Sequence, residues 1–392
     1  MGDRELVPAP GEAPVRSLRV ALLGSRGIPA RYGGYETLME ELAARLAERG
    51  FEVTVYCRSH STPAGLTSYR GARLVTLPTV RRKHLDTPVH TLLAAWHAAR
   101  QGFDAALMVN SANALFVPIL EAAGIPTALH VDGIERRRAK WGPFGRAVYA
   151  ISERLASHFP SAMVTDAEVI RRHYEEAYGC PSTAIAYGVD PEPVPAGETL
   201  ERLELEPRRY LLYVSRFEPE NNPHRVVAAY RALDTEIPLV MVGGAPYAGR
   251  FIAGFTAGSD PRIRYPGPIY GPGYRELLTN ALAYIHATEV GGTHPALVEA
   301  MGYAACPLVN DTPENREVAG PAALYFQARH PTTLTALLRQ VIEDPEAARR
   351  FGADARRRTL VRYSWETVVL AYERLFLALA SRRAVAAAEQ PP

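Results

Sequence analysis

Between Ile285 and Cys306 the chain reads IHATEVGGTHPALVEAMGYAAC, which sets Glu289 and Glu299 on either side of a glycine pair. The apolar residues Ala281 to Ile285 predict the end of a buried strand, and LVEAM predicts the helix that follows the glycines. Two adjacent glycines let a backbone approach a ligand with its N–H groups turned outward, and a helix N-terminus adds partial positive charge, so an anion is favoured there. Glu299, one turn into the helix, faces the same crevice. A carboxylate so placed accepts hydrogen bonds from ribose hydroxyls while the amides of Gly291, Gly292 and Thr293 hold a diphosphate or sugar oxygens. The chemistry implied is binding of a nucleotide-sugar. Taken alone, Glu299 reads as a helix-end charge matched to the macrodipole, so the ligand reading rests on its neighbours.

Other reactive side chains stand where apolar runs end. His130 and Asp132 follow IPTALHVDG, and Arg216 ends YLLYVSRF, each at the strand end where open α/β sheets place ligands. Gly33 and Gly34 follow LRVALLGS and precede Glu36, with Arg26 and Arg31 nearby to meet phosphates or an acceptor. The same residues equally describe a glycine-rich connection with solvated arginines. Arg136, Arg137, Arg138 and Lys140 cluster beside Trp141, with Phe144 and Tyr149 behind. Arginine forks phosphate oxygens and tryptophan favours the membrane interface, so this run suits an anionic lipid surface or a lipid-linked diphosphate; the plain alternative is a solvated helix face.

The elements that must carry these residues alternate strand and helix. LRVALLGS, the amphipathic TLMEELAARLAERG and FEVTVYCR form a βαβ unit, and its glycines do not make the GxGxxG of a dinucleotide site. NAD is disfavoured and no cofactor is expected. The alternation continues to AMVTDAEVIRRHYEEAYG and shifts composition after Tyr187, where proline and glycine accumulate; it restarts at Tyr210. The expected organisation is a disordered leader (1–16), a first Rossmann-like domain for the acceptor (17–187), a second for the donor (188–360), a crossover helix (361–382) and a disordered tail (383–392).

With 392 residues, 47% hydrophobic and 22% charged, each half can bury its own core. A net charge of +2 without a long basic tail argues against a nucleic-acid partner. Three well-separated cysteines, Cys57, Cys180 and Cys306, suit a reducing compartment. The N-terminus lacks the apolar core of a signal peptide and no run of eighteen apolar residues exists, so a cytoplasmic protein is expected, with peripheral contact on the cytoplasmic face of the membrane.

EVGGTHPALVEAM resembles the donor segment of retaining GT-B glycosyltransferases, in which two glutamates stand seven positions apart; Glu299 matches the second, and Gly291 takes the place of the first. The string is more similar to one branch, the bacterial rhamnosyltransferase-like enzymes of polysaccharide assembly, which carry EVGGTNPSLLEAM. GSRGIPARYGGYET resembles the opening GTRGIPAxYGGFET of that branch, SRFEPENN its GRFEPENN, and the basic run its DGLEWKRxKW. The resemblance implies two facing Rossmann-like domains with a C-terminal helix crossing back. It implies that His130 contacts the transferred sugar, that Asp132 and Glu289 assist catalysis, and that Arg216 holds the donor diphosphate with Asn221 where many relatives have lysine. Tyr270 and Tyr274 are candidates to stack on the base, and Asn310, Thr312 and Asn315 to bond the donor. No DxD stands out, so charged side chains and helix dipoles are expected to stabilise the leaving diphosphate without a metal.

The expected reaction moves a hexosyl or 6-deoxyhexosyl group, rhamnose from dTDP-rhamnose above all, to a sugar hydroxyl of a lipid-linked acceptor with the configuration retained. Two other readings stay open: a nucleotide-sugar epimerase of the same two-domain shape, and a non-catalytic sugar-binding protein.

Overall fold

The computed structural model describes residues 17–30, 33–82, 85–138, 141–245, 248–258 and 260–388. The expected leader, Arg31, Lys140 and residues 389–392 lie outside that set.

The first half contains β1 (Arg19–Leu23), α1 (Gly34–Glu48), β2 (Glu52–Arg58), β3 (Ser68–Tyr69), β4 (Ala72–Leu77), α2 (Asp86–Ala98), β5 (Ala105–Val109), α3 (Val117–Ala122), β6 (Thr127–Val131), α4 (Pro143–Ala156), β7 (Ala162–Thr165), α5 (Glu168–Tyr178) and β8 (Thr183–Ala184). The second contains α6 (Glu198–Arg202), β9 (Leu211–Val214), α7 (Pro223–Arg231), β10 (Leu239–Val242), α8 (Gly249–Thr256), β11 (Ile263–Gly267), α9 (Pro272–Asn280), β12 (Ala283–His286), α10 (Pro295–Gly302), β13 (Cys306–Asn310), α11 (Pro313–Ala319) and β14 (Leu324–Phe326), then α12 (Pro331–Glu343), α13 (Pro345–Arg362) and α14 (Trp365–Ala388).

β5 and β6 are buried along their whole length, and β1 is buried from Val20 onward, as continuous apolar strands should be when helices cover both faces of a sheet. The first sheet has the order β3-β4-β2-β1-β5-β6-β7-β8, parallel except for the short β3. The second, β11-β10-β9-β12-β13-β14, is parallel throughout. In each sheet the chain runs outward in one direction from a central strand and then in the other, so helices divide between the faces. The reversals fall between β1 and β5 and between β9 and β12. Crevices for ligands open at such reversals, beyond the C-terminal strand ends.

α1 packs Leu38, Met39, Leu42 and Leu46 on one face of the first sheet, a helical spacing that the sequence shows directly. The same layer receives α14, whose Val368, Val369, Tyr372, Phe376 and Leu379 join that core. The C-terminal helix therefore crosses back onto the first domain, and burying five such side chains contributes about 1.5–3 kcal/mol each at most. Arg49 ties α1 to α14 through Glu373 at 2.9 Å and Glu366 at 2.6 Å. α14 continues to Ala388, past position 383 where a tail was expected to begin.

Candidate active site between the two sheets

The two halves meet at glycines. Gly133, just beyond β6 with φ +127°, lies so close to Gly291 that a Cβ on it would stand 3.1 Å from the Gly291 Cα. A Cβ on Gly292 would fall 1.9 Å from Asp166 Oδ1, and one on Gly34 would fall 3.0 Å from Pro295 Cγ at the start of α10. Only residues without side chains permit this approach. Asp166, beyond β7, accepts the Thr293 amide at 2.8 Å, and its backbone carbonyl accepts the Thr293 hydroxyl. Glu317 in α11 accepts the amides of Glu168 and Val169 at 2.6 and 2.8 Å, capping α5 from the other domain.

His130 stands at the end of β6, fully buried. Its Nδ1 lies 2.5 Å from the Tyr372 hydroxyl, delivered by α14, and its ring is surrounded by Tyr35, Tyr187 and Tyr372 at 5.8–6.3 Å between centroids. Burial pulls its pKa down to about 3, so the ring is neutral at ordinary pH. Among the described residues Nε2 has no hydrogen-bond partner, and neither does the buried Tyr187 hydroxyl, while the Tyr35 hydroxyl is directed at Asp132. Buried polar atoms without partners are rare in folded proteins, and several in one place mark a surface shaped for polar ligand groups.

Asp132 is half-buried beside this cluster. Its carboxyl is raised first by burial and then by Glu135, while Arg138 and Arg216 oppose the shift. Asp166 is raised well above the ordinary range by burial and by Asp132. Across the cleft the rings of His286 and His294 lie 4.7 Å apart at a 51° tilt, and burial keeps both neutral. The fields of Arg138 and Arg216 reach His294 as well.

Glu299 lies in α10 with Oε2 accepting the Tyr274 hydroxyl at 2.6 Å. Burial raises its pKa to about 7, which the Tyr274 bond partly offsets. Tyr274 is thus the partner of a carboxylate through its hydroxyl, and Tyr270 is largely exposed. Arg216 sits past β9 with its guanidinium 42% exposed and 3.9 Å from Glu218. Asn221, at the position where lysine was expected in relatives, donates to the Arg216 carbonyl at 2.7 Å and so shapes the loop instead of supplying charge.

Several residues have other duties than the sequence suggested. Glu36 accepts the Arg26 amide at 2.9 Å and fixes the β1–α1 loop. Asn310 and Asn315 both donate to the Thr288 carbonyl and so support the loop after β12 from behind, and Thr312 caps α11. Glu289 turns toward Arg329 at 3.7 Å, and its amide bonds the Glu220 carbonyl at 2.9 Å. The basic run does not form an exposed strip. Arg136 bonds the fully buried Glu153 at 2.9 Å, Arg138 is buried against Glu135 at 2.5 Å, and Trp141 packs on Tyr149. Of the described members only Arg137 is exposed. Arg136 and Arg138 turn inward because each finds a carboxylate, Glu153 from α4 and the neighbouring Glu135.

Sequence reasoning overlooked Asp166, Tyr187 and Tyr372. Asp166 was discoverable, because MVTD ends β7 as HVD ends β6, at the same level of adjacent strands. Tyr372 had no local signal, since it arrives from 242 positions away.

Comparison with known proteins agrees with this arrangement. The model of the family described as Glycosyltransferase Family 4 matches residues 32–193, and that of Glycosyl transferases group 1 matches residues 198–358. Sucrose-phosphate synthase from Thermosynechococcus elongatus superposes with a TM-score of 0.79 at 17% identity, over 93% of this chain and 100% of that one. The Anabaena protein HepE, solved with UDP and glucose, gives 0.76 at 14% identity over 92% and 99%. Trehalose 6-phosphate synthase from Burkholderia multivorans gives 0.68 at 11% identity over 96% and 99%. No curated protein sequence matches the chain. At such identities these structures establish the fold, and the two consecutive family matches decide for glycosyl transfer over epimerisation or simple sugar binding. The chain is therefore a glycosyltransferase of the group 1 type, built as two Rossmann-like domains in the GT-B fold.

Proposed function

We propose that this enzyme transfers a hexosyl or 6-deoxyhexosyl group from a nucleoside-diphosphate sugar to a sugar hydroxyl of a lipid-linked acceptor, retaining the anomeric configuration. dTDP-rhamnose is the favoured donor, on the resemblance of GSRGIPARYGGYET and EVGGTHPALVEAM to the rhamnosyltransferase-like branch. The observation that carries the reading is the neutral His130, held through Nδ1 with Nε2 free of any partner among buried tyrosine hydroxyls. Such a ring orients a sugar hydroxyl without repelling cationic charge that develops at the anomeric carbon.

Glu299 takes the ribose hydroxyls. The amides of Gly291 and Gly292 and the N-terminus of α10 meet the diphosphate, with Arg216 as the nearby cation. Asp132 is the candidate to receive the acceptor proton, since a carboxyl raised by burial is matched to that task. Retention then follows from attack on the face the diphosphate leaves, with the leaving phosphate assisting. HepE is described with UDP and with UDP-glucose, which makes UDP-sugars the first alternative donors to compare.

The test incubates the enzyme with dTDP-rhamnose, UDP-glucose and a GDP-hexose, each with a polyprenyl-diphosphate sugar, and reads the product linkage by NMR. The expected result is an organic-soluble glycolipid formed from dTDP-rhamnose with the donor's configuration. Formation of an inverted linkage would overturn retention, and turnover only with UDP- or GDP-sugars would overturn rhamnose.

A further inference from the structure

The outer side of α2, α3 and α4 carries an unusual share of exposed apolar surface. Ten of the fifteen large apolar side chains exposed among the described residues fall between Val80 and Phe159. On α4, Phe144, Val148 and Ile151 are 83%, 43% and 60% exposed and follow one another at helical spacing along a single stripe. At the start of α2 and along it, Leu85, Leu92 and Trp96 repeat that spacing. The turn Ser111–Phe116, packed against both helices, adds Leu115 at 61%. A solvated helix does not expose a phenylalanine, a valine and an isoleucine on one face without a partner.

Charge on this layer is one-sided. Arg81, Arg82, Arg100, Arg137, Arg146 and Arg154 are exposed. The acidic residues between positions 80 and 160 are Asp86, Asp104, Glu121, Asp132, Glu135 and Glu153, and not one is exposed. Asp86, Glu135 and Glu153 are engaged by Arg58, Arg138 and Arg136, and Glu121 by the amides of Thr127 and Ser161. The whole chain carries only +2, so the asymmetry belongs to this surface and not to the composition.

We propose that the face formed by α2, the Leu115 turn and α4 docks the enzyme on an anionic lipid bilayer. An interfacial helix of this kind buries its apolar stripe at the headgroup boundary while arginines beside it meet lipid phosphates. The contact differs from the one expected at Arg136 to Trp141, where Arg136, Arg138 and Trp141 are engaged within the protein. The proposal takes a lipid-borne acceptor from the proposed function, but its test needs neither donor nor acceptor. Among the described residues no helix is long and apolar enough to cross a membrane, so attachment here is superficial.

The experiment sediments the full chain with phosphatidylcholine vesicles, with and without phosphatidylglycerol. The expected result is binding only to the anionic vesicles, weakened by salt, and reduced about tenfold or more in the variant Phe144→Ser/Val148→Ser/Ile151→Ser and in Arg146→Glu/Arg154→Glu. Val361→Ser, which alters an apolar side chain 78% exposed in the second half, should bind as the wild type does. Circular dichroism confirms that each variant is folded. Absence of binding to any vesicle, or equal binding by both α4 variants, would overturn the proposal. So would light scattering that shows a dimer dissolved by the α4 substitutions, because a second copy would then own the face. Absence of vesicle binding by the wild-type chain alongside intact turnover of soluble substrates would refute this surface and leave the proposed function standing; vesicle binding without any nucleotide-sugar binding would do the reverse.

Discussion

Four positions along the loop after β6, from Asp132 to Arg136, separate two regions that look equally functional on paper. At its start, His130 and Asp132 face the second domain across Gly133; further on, Arg136, Arg138 and Trp141 offer charge and an aromatic ring. The first region leaves His130 Nε2 and the Tyr187 hydroxyl without partners among the described residues in a buried setting. In the second region Arg136 and Arg138 have found Glu153 and Glu135, the first of which is fully buried. An open polar atom costs stability, typically about 1–3 kcal/mol, and is kept where a ligand satisfies it. A closed ion pair holds the loop. Residue type did not distinguish the two regions, whereas polar satisfaction does.

Substitutions sharpen that contrast, beginning with the largest expected effect. His130→Ala should lower kcat about 100- to 1000-fold while leaving melting close to that of the wild type, as loss of a preorganised group at a reacting centre does. A variant with unchanged turnover would move His130 into the structural class. Because the ring is neutral down to about pH 3, no limb of the pH–rate profile between pH 5 and 9 should disappear with it.

Gly292→Ala drives a methyl group into Asp166 Oδ1 and must part the two domains at Thr293. A displacement of about 1 Å at a reacting centre is worth about 100-fold in rate, so activity should fall by that order while donor binding falls less. Wild-type rates in this variant would mean that the cleft works without the Asp166 contact. Arg136→Ala is the opposite case. It should leave activity within about twofold yet destabilise the fold by about 1–3 kcal/mol, since Glu153 loses a partner in a buried place. A denaturation curve that does not move, or a large loss of kcat, would break the comparison.

Much of this was legible in the chain. Apolar runs ending in His130, Asp132 and Arg216 announced strand ends, and the glycine pair at 291–292 announced a close approach; both follow from parallel sheets and the missing Cβ. What stayed hidden depends on long-range pairing. Tyr372 reaches His130 only because α14 packs across the first sheet, and the approach found in the structure is between Gly292 and a carboxylate of the other domain. The inward turn of Arg138 was invisible because a charge run gives no sign of which carboxylates will neutralise it. Glu289 shows the same limit: its position near the glycines was plain, its orientation toward Arg329 was not.

The central claim is that the cleft binds a nucleotide-sugar with Glu299 accepting its ribose hydroxyls. Calorimetric titration of dTDP-rhamnose into the wild type and Glu299→Gln, at pH 6 and pH 8, tests it directly. Burial holds the Glu299 pKa near about 7, so the carboxyl is mostly protonated at the lower pH and ionised at the higher, where it accepts hydrogen bonds more strongly. Tighter binding at pH 8 in the wild type, with about tenfold weaker and pH-independent binding in the variant, is the expected outcome. Equal affinity of the two proteins at both pH values would contradict the account.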